Sequence, residues 1–203
     1  RPYILQRAPG HGPWGGVTDG GAKRAADGVA QWLLDRGLMG ADSVMVLSAN
    51  SVEHALVMLG CYTAGVPIAP ISPAYSLISS DHAKLQHCFA TVKPRAVFAQ
   101  SSAMFARAFE TLRALDSSLT FISVDGENGT IALSELISAA PTPAVEAARE
   151  RIDHGTVAKY LFTSGSTGMP KGVPQTHGMF AGVIAGGDGL RDEPADPDLV
   201  PQS

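Results

Sequence analysis

The chain has 203 residues, 45% hydrophobic and 17% charged, enough for one domain or a large part of a bigger one. Its net charge of −4, without a basic run or basic helix face, excludes a nucleic-acid binder. No apolar stretch approaches the roughly 20 residues a membrane span needs, and no basic-then-apolar signal opens the chain, so a cytoplasmic location with no membrane partner is expected. Cys61 and Cys88 fall inside helical patterns and read as buried, reduced thiols. Arg1 as first residue and the polar stop at Pro201-Gln202-Ser203 read as a piece of a longer protein.

Residues 1–21 are rich in Gly and Pro and are expected to be loop, with Val17-Thr18 closing a short strand. Residues 22–36 place Ala22, Ala25, Ala26, Val29 and Leu33 on one helical face, with Gly37 set to end the helix. Residues 43–47 are a short apolar run, the form of a strand covered on both faces. Ser51 caps a helix carrying Val52, Ala55, Leu56 and Leu59 inward, ending at Gly65. Residues 66–71 are extended, and Pro67 and Pro70 mark an edge or irregular strand. Asp81 caps the next helix, apolar at Leu85, Cys88, Phe89 and Val92, with Pro94 past its end. Strands at 95–99 and 119–124 enclose a helix opened by Ser101 or Ser102 and built on Phe105, Ala108, Phe109, Leu112 and Leu115. A short helix at 134–140 and a weak one at 144–151 follow. Residues 157–162 form another buried strand, 173–175 are extended, and Thr176 caps a glycine-bearing helix running from His177 to about Gly186. Residues 188–203 carry five carboxylates and three prolines and read as a linker.

Helix and strand alternating in this way imply an α/β fold: a mainly parallel sheet with helices on both faces, over residues 22–187. Ligands bind such sheets outside the carboxyl ends of the strands. There, after the strand at 157–162, the chain concentrates its hydroxyls: Thr163, Ser164, Ser166 and Thr167, interleaved with Gly165 and Gly168 and followed by Lys171. Glycines that accept positive φ let backbone N–H groups turn inward, hydroxyls add donors, and one lysine offsets charge, which is what a phosphate chain needs. A bare Gly/Ser cluster is more often a plain surface loop, so composition alone favours that reading over a phosphate site. Gly172 stands where the ATPase loop carries the Ser or Thr that holds magnesium, and no Gly-x-Gly-x-x-Gly follows a strand.

The ordered string Leu161-Phe162-Thr163-Ser164-Gly165-Ser166-Thr167-Gly168-Met169-Pro170-Lys171-Gly172-Val173, with Thr176-His177 after it, resembles the signature of the adenylate-forming (AMP-binding) superfamily. That superfamily includes acyl- and aryl-CoA ligases, luciferases and peptide-synthetase adenylation domains. Ser48-Ala49-Asn50-Ser51-Val52-Glu53-His54-Ala55-Leu56 and Ala64-Gly65-Val66-Pro67-Ile68-Ala69-Pro70 are similar to the early part of its large N-terminal domain. Ser72-Pro73-Ala74-Tyr75-Ser76-Leu77 and Gly189-Leu190-Arg191-Asp192-Glu193-Pro194 are similar to its feruloyl-CoA synthetase branch.

The resemblance implies a ligase that joins a small-molecule carboxylic acid to the α-phosphate of Mg-ATP, releases pyrophosphate, and passes the acyl group to coenzyme A. Carried over by motif, Thr163, Ser164, Gly165, Ser166, Thr167, Gly168 and Lys171 would grip the β- and γ-phosphates. The adenine, ribose and acid motifs and a lysine-bearing C-terminal domain are expected outside this chain. No catalytic residue or metal ligand is therefore assigned within it, and it is read as an N-terminal fragment of undetermined oligomeric state. A non-catalytic phosphate-binding module is the alternative, and a P-loop phosphotransferase a third reading.

Thr18-Asp19-Gly20-Gly21 departs from the superfamily's Thr-Tyr-x-Glu, because Gly21 cannot reach back to the cap N–H. Pro174 departs by lacking an N–H. His177 reads as a structural helix-start histidine, and His54, His82, His87 and His154 lack metal-ligand spacing. Tyr75, on an irregular stretch, faces a substrate or packs.

Overall fold

The computed structural model describes residues 2–7, 14–164 and 168–188. Its first element is a small antiparallel sheet of β1 (Pro2–Arg7) and β2 (Trp14–Thr18), where a loop was expected. The glycines that suggested a loop are what permit the pairing: a Cβ on Gly16 would lie 2.1 Å from the Ile4 carbonyl oxygen. Helix α1 (Asp19–Asp35) starts three residues before the expected Ala22, and the Thr18 hydroxyl accepts the Gly21 N–H at 3.2 Å. The forward bond of the capping box survives; with no side chain at Gly21, the return bond does not.

Seven strands then form one sheet in the order β7-β6-β5-β3-β4-β8-β9. They are β3 (Val44–Leu47), β4 (Ile68–Ile71), β5 (Ala96–Ala99), β6 (Thr120–Ser123), β7 (Ile131–Ala132), β8 (Val157–Ser164) and β9 (Pro170–Thr176). Every pairing is parallel except β8 with β9. Helix α2 (Val52–Ala64) lies between β3 and β4; α3 (Pro73–Leu77) and α4 (Ala83–Val92) lead from β4 to β5. Helix α5 (Ala106–Leu115) joins β5 to β6, α6 (Leu133–Ser138) and α7 (Pro143–Glu150) lead to β8, and α8 (His177–Asp188) follows β9.

The pleat divides the core in two. Val44, Val46, Ile68, Ala96, Phe98 and Ile122 face α1, α2, α6 and α7 on one side of the sheet. Met45, Leu47, Ala69, Val97, Ala99 and Phe121 face α4 and α5 on the other. The chain is thus an α/β fold with helices on both faces of a mostly parallel sheet. Cys61 belongs to the first layer and Cys88 to the second; both are free, and burial pushes both thiols up to about 12.

Of the two readings its prolines left open, an edge or an irregular strand, β4 is not an edge: it lies inside the sheet, between β3 and β8. The Pro67 carbonyl accepts from the Val44 N–H, so alternation turns the Pro70 nitrogen away from β3 and toward β8. On that side the recorded ladder is a single pair, Ile68 with Lys159, so the missing N–H costs no bond in a regular ladder.

Other boundaries shift for local reasons. Asp81 is displaced from the cap of α4 by His82, which adopts φ +51°. The Asp81 carboxylate still accepts the Ala83 N–H at 3.0 Å. Ahead of α5, the Ser101 hydroxyl accepts the Met104 N–H and closes a turn, and the helix proper begins at Ala106. Residues 73–77, expected to be irregular, are the short α3, opened by Pro73 in its first turn.

Candidate functional site at the β8–β9 hairpin

Strand β8 runs parallel to β4, so its carboxyl end falls on the edge of the sheet where α2, α3 and α5 also begin. The chain turns there and returns as β9, antiparallel to β8, with Thr163 opposite Lys171 and Ser164 opposite Pro170. Strands β8 and β9 are therefore the two arms of a hairpin, with Thr163 and Ser164 ending the first and Gly168 preceding the second. A P-loop joins a strand to a helix and uses that helix's N-terminal dipole; a strand–turn–strand connection has none to use, which counts against the phosphotransferase reading.

Gly165, Ser166 and Thr167 lie outside the described residues, as does the Ser164 side chain. Of the other expected residues, Gly168 adopts φ +80°, which favours glycine over any residue with a Cβ. Directly opposed residues of an antiparallel pair point to the same face, so Thr163 and Lys171 lie side by side. Both are exposed, and Lys171 makes no ion pair among the described residues. A hydroxyl and an unneutralised ammonium thus share one face at the base of a glycine-bearing turn.

The opposite face is taken by α4. His87 Nε2 donates to the Pro170 carbonyl at 2.9 Å, across 83 residues of sequence. One turn on, the Thr91 methyl lies 3.1 Å from where a Cβ on Gly172 would stand, with the Phe162 ring 3.2 Å away on the same position. Phe162 and Tyr160 pack onto the core layer beneath α4. These contacts escape sequence reading: spacing shows His87 as one more unclustered histidine, and only the pairing of β8 with β9 brings it to Pro170.

Pro174 is explained by the same geometry. The Pro170 carbonyl, bonded to His87, points away from β8, and alternation puts the Pro174 nitrogen on that outer side too, where no ladder bond is lost.

Three other histidines, His54, His82 and His177, read as structural. His82 is buried, with its ring nitrogens on the Thr111 hydroxyl (2.7 Å) and the Ser76 carbonyl (3.1 Å). His54 Nδ1 meets the Ala49 carbonyl at 3.3 Å, and burial holds its pKa below the ordinary value. His177 opens α8 as expected, capped by the Thr176 hydroxyl accepting from Met179 N–H at 3.4 Å. Its ring meets Tyr62 edge-on at 5.6 Å, its Nε2 is buried without a partner among the described residues, and burial lowers its pKa. Tyr75 sits on α3, packed against the core, with the Lys84 ammonium 5.4 Å from its ring centre. Among the described residues no group of three or more His, Cys, Asp or Glu side chains could hold a metal ion.

A family model described as AMP-binding enzyme matches residues 12–199. A probable non-canonical nonribosomal peptide synthetase, CymA of Salinispora arenicola, is 28% identical over 162 residues, covering 80% of this chain and 2% of that protein. The 4-coumarate–CoA ligase-like 8 of Arabidopsis thaliana is 27% identical over 168 residues, covering 79% of this chain and 28% of its own length. Among solved structures, a fatty acyl-adenylate ligase from L. pneumophila, in complex with acyl adenylate and pyrophosphate, superposes with a TM-score of 0.62 at 24% identity. That superposition covers 85% of this chain and 27% of the other. The chain thus spans under a third of each of these relatives.

Proposed function

The chain belongs to the AMP-binding enzyme family, and from that premise we propose that its β8–β9 hairpin grips the pyrophosphate end of ATP in an acid–CoA ligase acting on an aromatic, feruloyl-like acid. The observation that carries the proposal is the cross-strand pair of Thr163 with an exposed Lys171, which has no ion pair among the described residues, ahead of which Gly168 holds a positive φ. The aromatic class rests on the stretches at 72–77 and 189–194, and on the likeness to a 4-coumarate–CoA ligase-like protein.

In the reaction proposed, a carboxylate oxygen of the acid attacks the α-phosphorus of ATP. The bond from that phosphorus to the α–β bridging oxygen breaks, leaving acyl adenylate and pyrophosphate. Negative charge builds on the departing oxygens, and donors fixed around them favour the transition state over the ground state. Lys171 acts there as a point charge and takes no proton; Thr163, Ser164, Ser166 and Thr167 donate from hydroxyls. Magnesium enters with ATP, as part of the substrate. Coenzyme A sulfur then attacks the acyl carbonyl and AMP leaves, a step assigned to no residue of this chain.

Acid-dependent exchange of pyrophosphate into ATP, measured on the full gene product, tests the grip. Lys171→Ala and Gly165→Val are each expected to slow exchange by about 100-fold, the order seen when one preorganised electrostatic donor is lost. Wild-type exchange in both variants would show that the hairpin does not hold the phosphates.

A further inference from the structure

Lys171 reaches its face of the hairpin because something else occupies the other. Pro170 and Gly172, its two neighbours in β9, turn toward α4, and α4 meets each of them separately. His87 holds the first by a 2.9 Å hydrogen bond to its carbonyl. Thr91 closes on the second, leaving a tight fit for a Cβ: one placed on Gly172 would stand 3.1 Å from the Thr91 methyl and 3.2 Å from Phe162. His87 and Thr91 lie four residues apart and so share a helix face, and the Thr91 hydroxyl donates to the His87 carbonyl at 2.8 Å. Helix α4 is itself fixed by Leu85, Cys88 and Val92 in the core layer. A rigid helix therefore clamps β9 on either side of one exposed lysine.

We propose that His87 is a positioning residue for the phosphate grip: its bond to the Pro170 carbonyl, with Thr91 against Gly172, sets the strand so that Lys171 is presented to the phosphates of ATP. The inference rests on the proposed function of the hairpin. It adds that the aim of Lys171 is set by a helix some 80 residues earlier in the chain and not by the turn alone. Nε2 must carry the proton in this bond, and a glutamine side-chain N–H can occupy nearly the same position, whereas alanine leaves the carbonyl without its partner.

The test compares four variants of the full gene product in acid-dependent ATP–pyrophosphate exchange, with thermal melting alongside. Lys171→Ala is the control for the underlying reading; if it exchanges normally, the phosphate grip falls and the positioning role with it. With Lys171→Ala impaired, His87→Ala is expected to lower kcat by about 10- to 100-fold, the scale of a small misplacement of a reacting partner, with KM for the acid within about twofold. His87→Gln is expected to recover most of that loss. Gly172→Ala, whose Cβ would press on the Thr91 methyl and the Phe162 ring, is expected to lower kcat in the same way, and keeps the question decidable should His87→Ala fail to fold. Normal kcat in His87→Ala or Gly172→Ala while Lys171→Ala is impaired overturns the positioning role and leaves the grip standing. A His87→Gln variant no better than His87→Ala, with both melting equally early, overturns it as well, since the histidine would then be serving only as packing.

Discussion

At the scale of single residues, histidines show how far spacing falls short of environment. Four of the chain's six histidines (His54, His82, His87 and His154) read alike in sequence, as unclustered rings, and His177 reads as a structural histidine at a helix start. The structure gives His82 two partners, His87 a strand to hold, and His177 a buried Nε2 with none among the described residues. His177 has a stability consequence. Burial holds its pKa below the ordinary 6.5, so the folded chain sheds this proton more readily than the unfolded chain does. Below about pH 6.5 the unfolded state then binds more protons, and stability falls as pH falls until the folded ring also titrates. His54, lowered by burial in the same direction, adds to the effect. The melting temperature is therefore expected to drop between pH 7.5 and 5.5, and His177→Gln to flatten part of that slope; an unchanged slope would place the titrating group elsewhere.

At the scale of elements, what was legible was what depends on local pattern. The helical faces of α1, α2, α4 and α5 and the apolar runs of β3 and β5 stand close to where periodicity put them. Ser51 does cap α2: its hydroxyl accepts the His54 N–H at 3.1 Å. Ser51→Ala should therefore cost about 1 kcal/mol in chemical denaturation, a typical loss for an N-cap hydroxyl. A change too small to measure would mean the Gln6 side chain, which accepts the Val52 N–H at 2.8 Å, suffices as a cap. Pairing between distant segments was not legible. Proline argued for an edge or an irregular strand at β4, but only the neighbouring strands decide which way a missing N–H points. The two-residue β7 has no pattern to read, and β1 with β2 was hidden by glycines that a close strand pair requires.

For the whole molecule, the seven-stranded sheet sorts the chain into two core layers and places one hairpin at the carboxyl edge beside β4. The ordered motif, by resemblance, suggested phosphate for this stretch, and alternation placed the end of β8 at that edge. The hairpin form came only with the structure: β9 returns beside β8, brings Lys171 opposite Thr163, and makes α4 its support. On the proposed function this assembly holds the part of ATP that leaves, and not the part that stays. The most direct measurement is the affinity of the full gene product for pyrophosphate and for AMP, each by calorimetry, in wild type and in Lys171→Ala. Pyrophosphate binding is expected to weaken about 10-fold or more on loss of a charge-assisted contact, while AMP binding stays within about twofold. Equal weakening of both ligands, or of AMP alone, would contradict it.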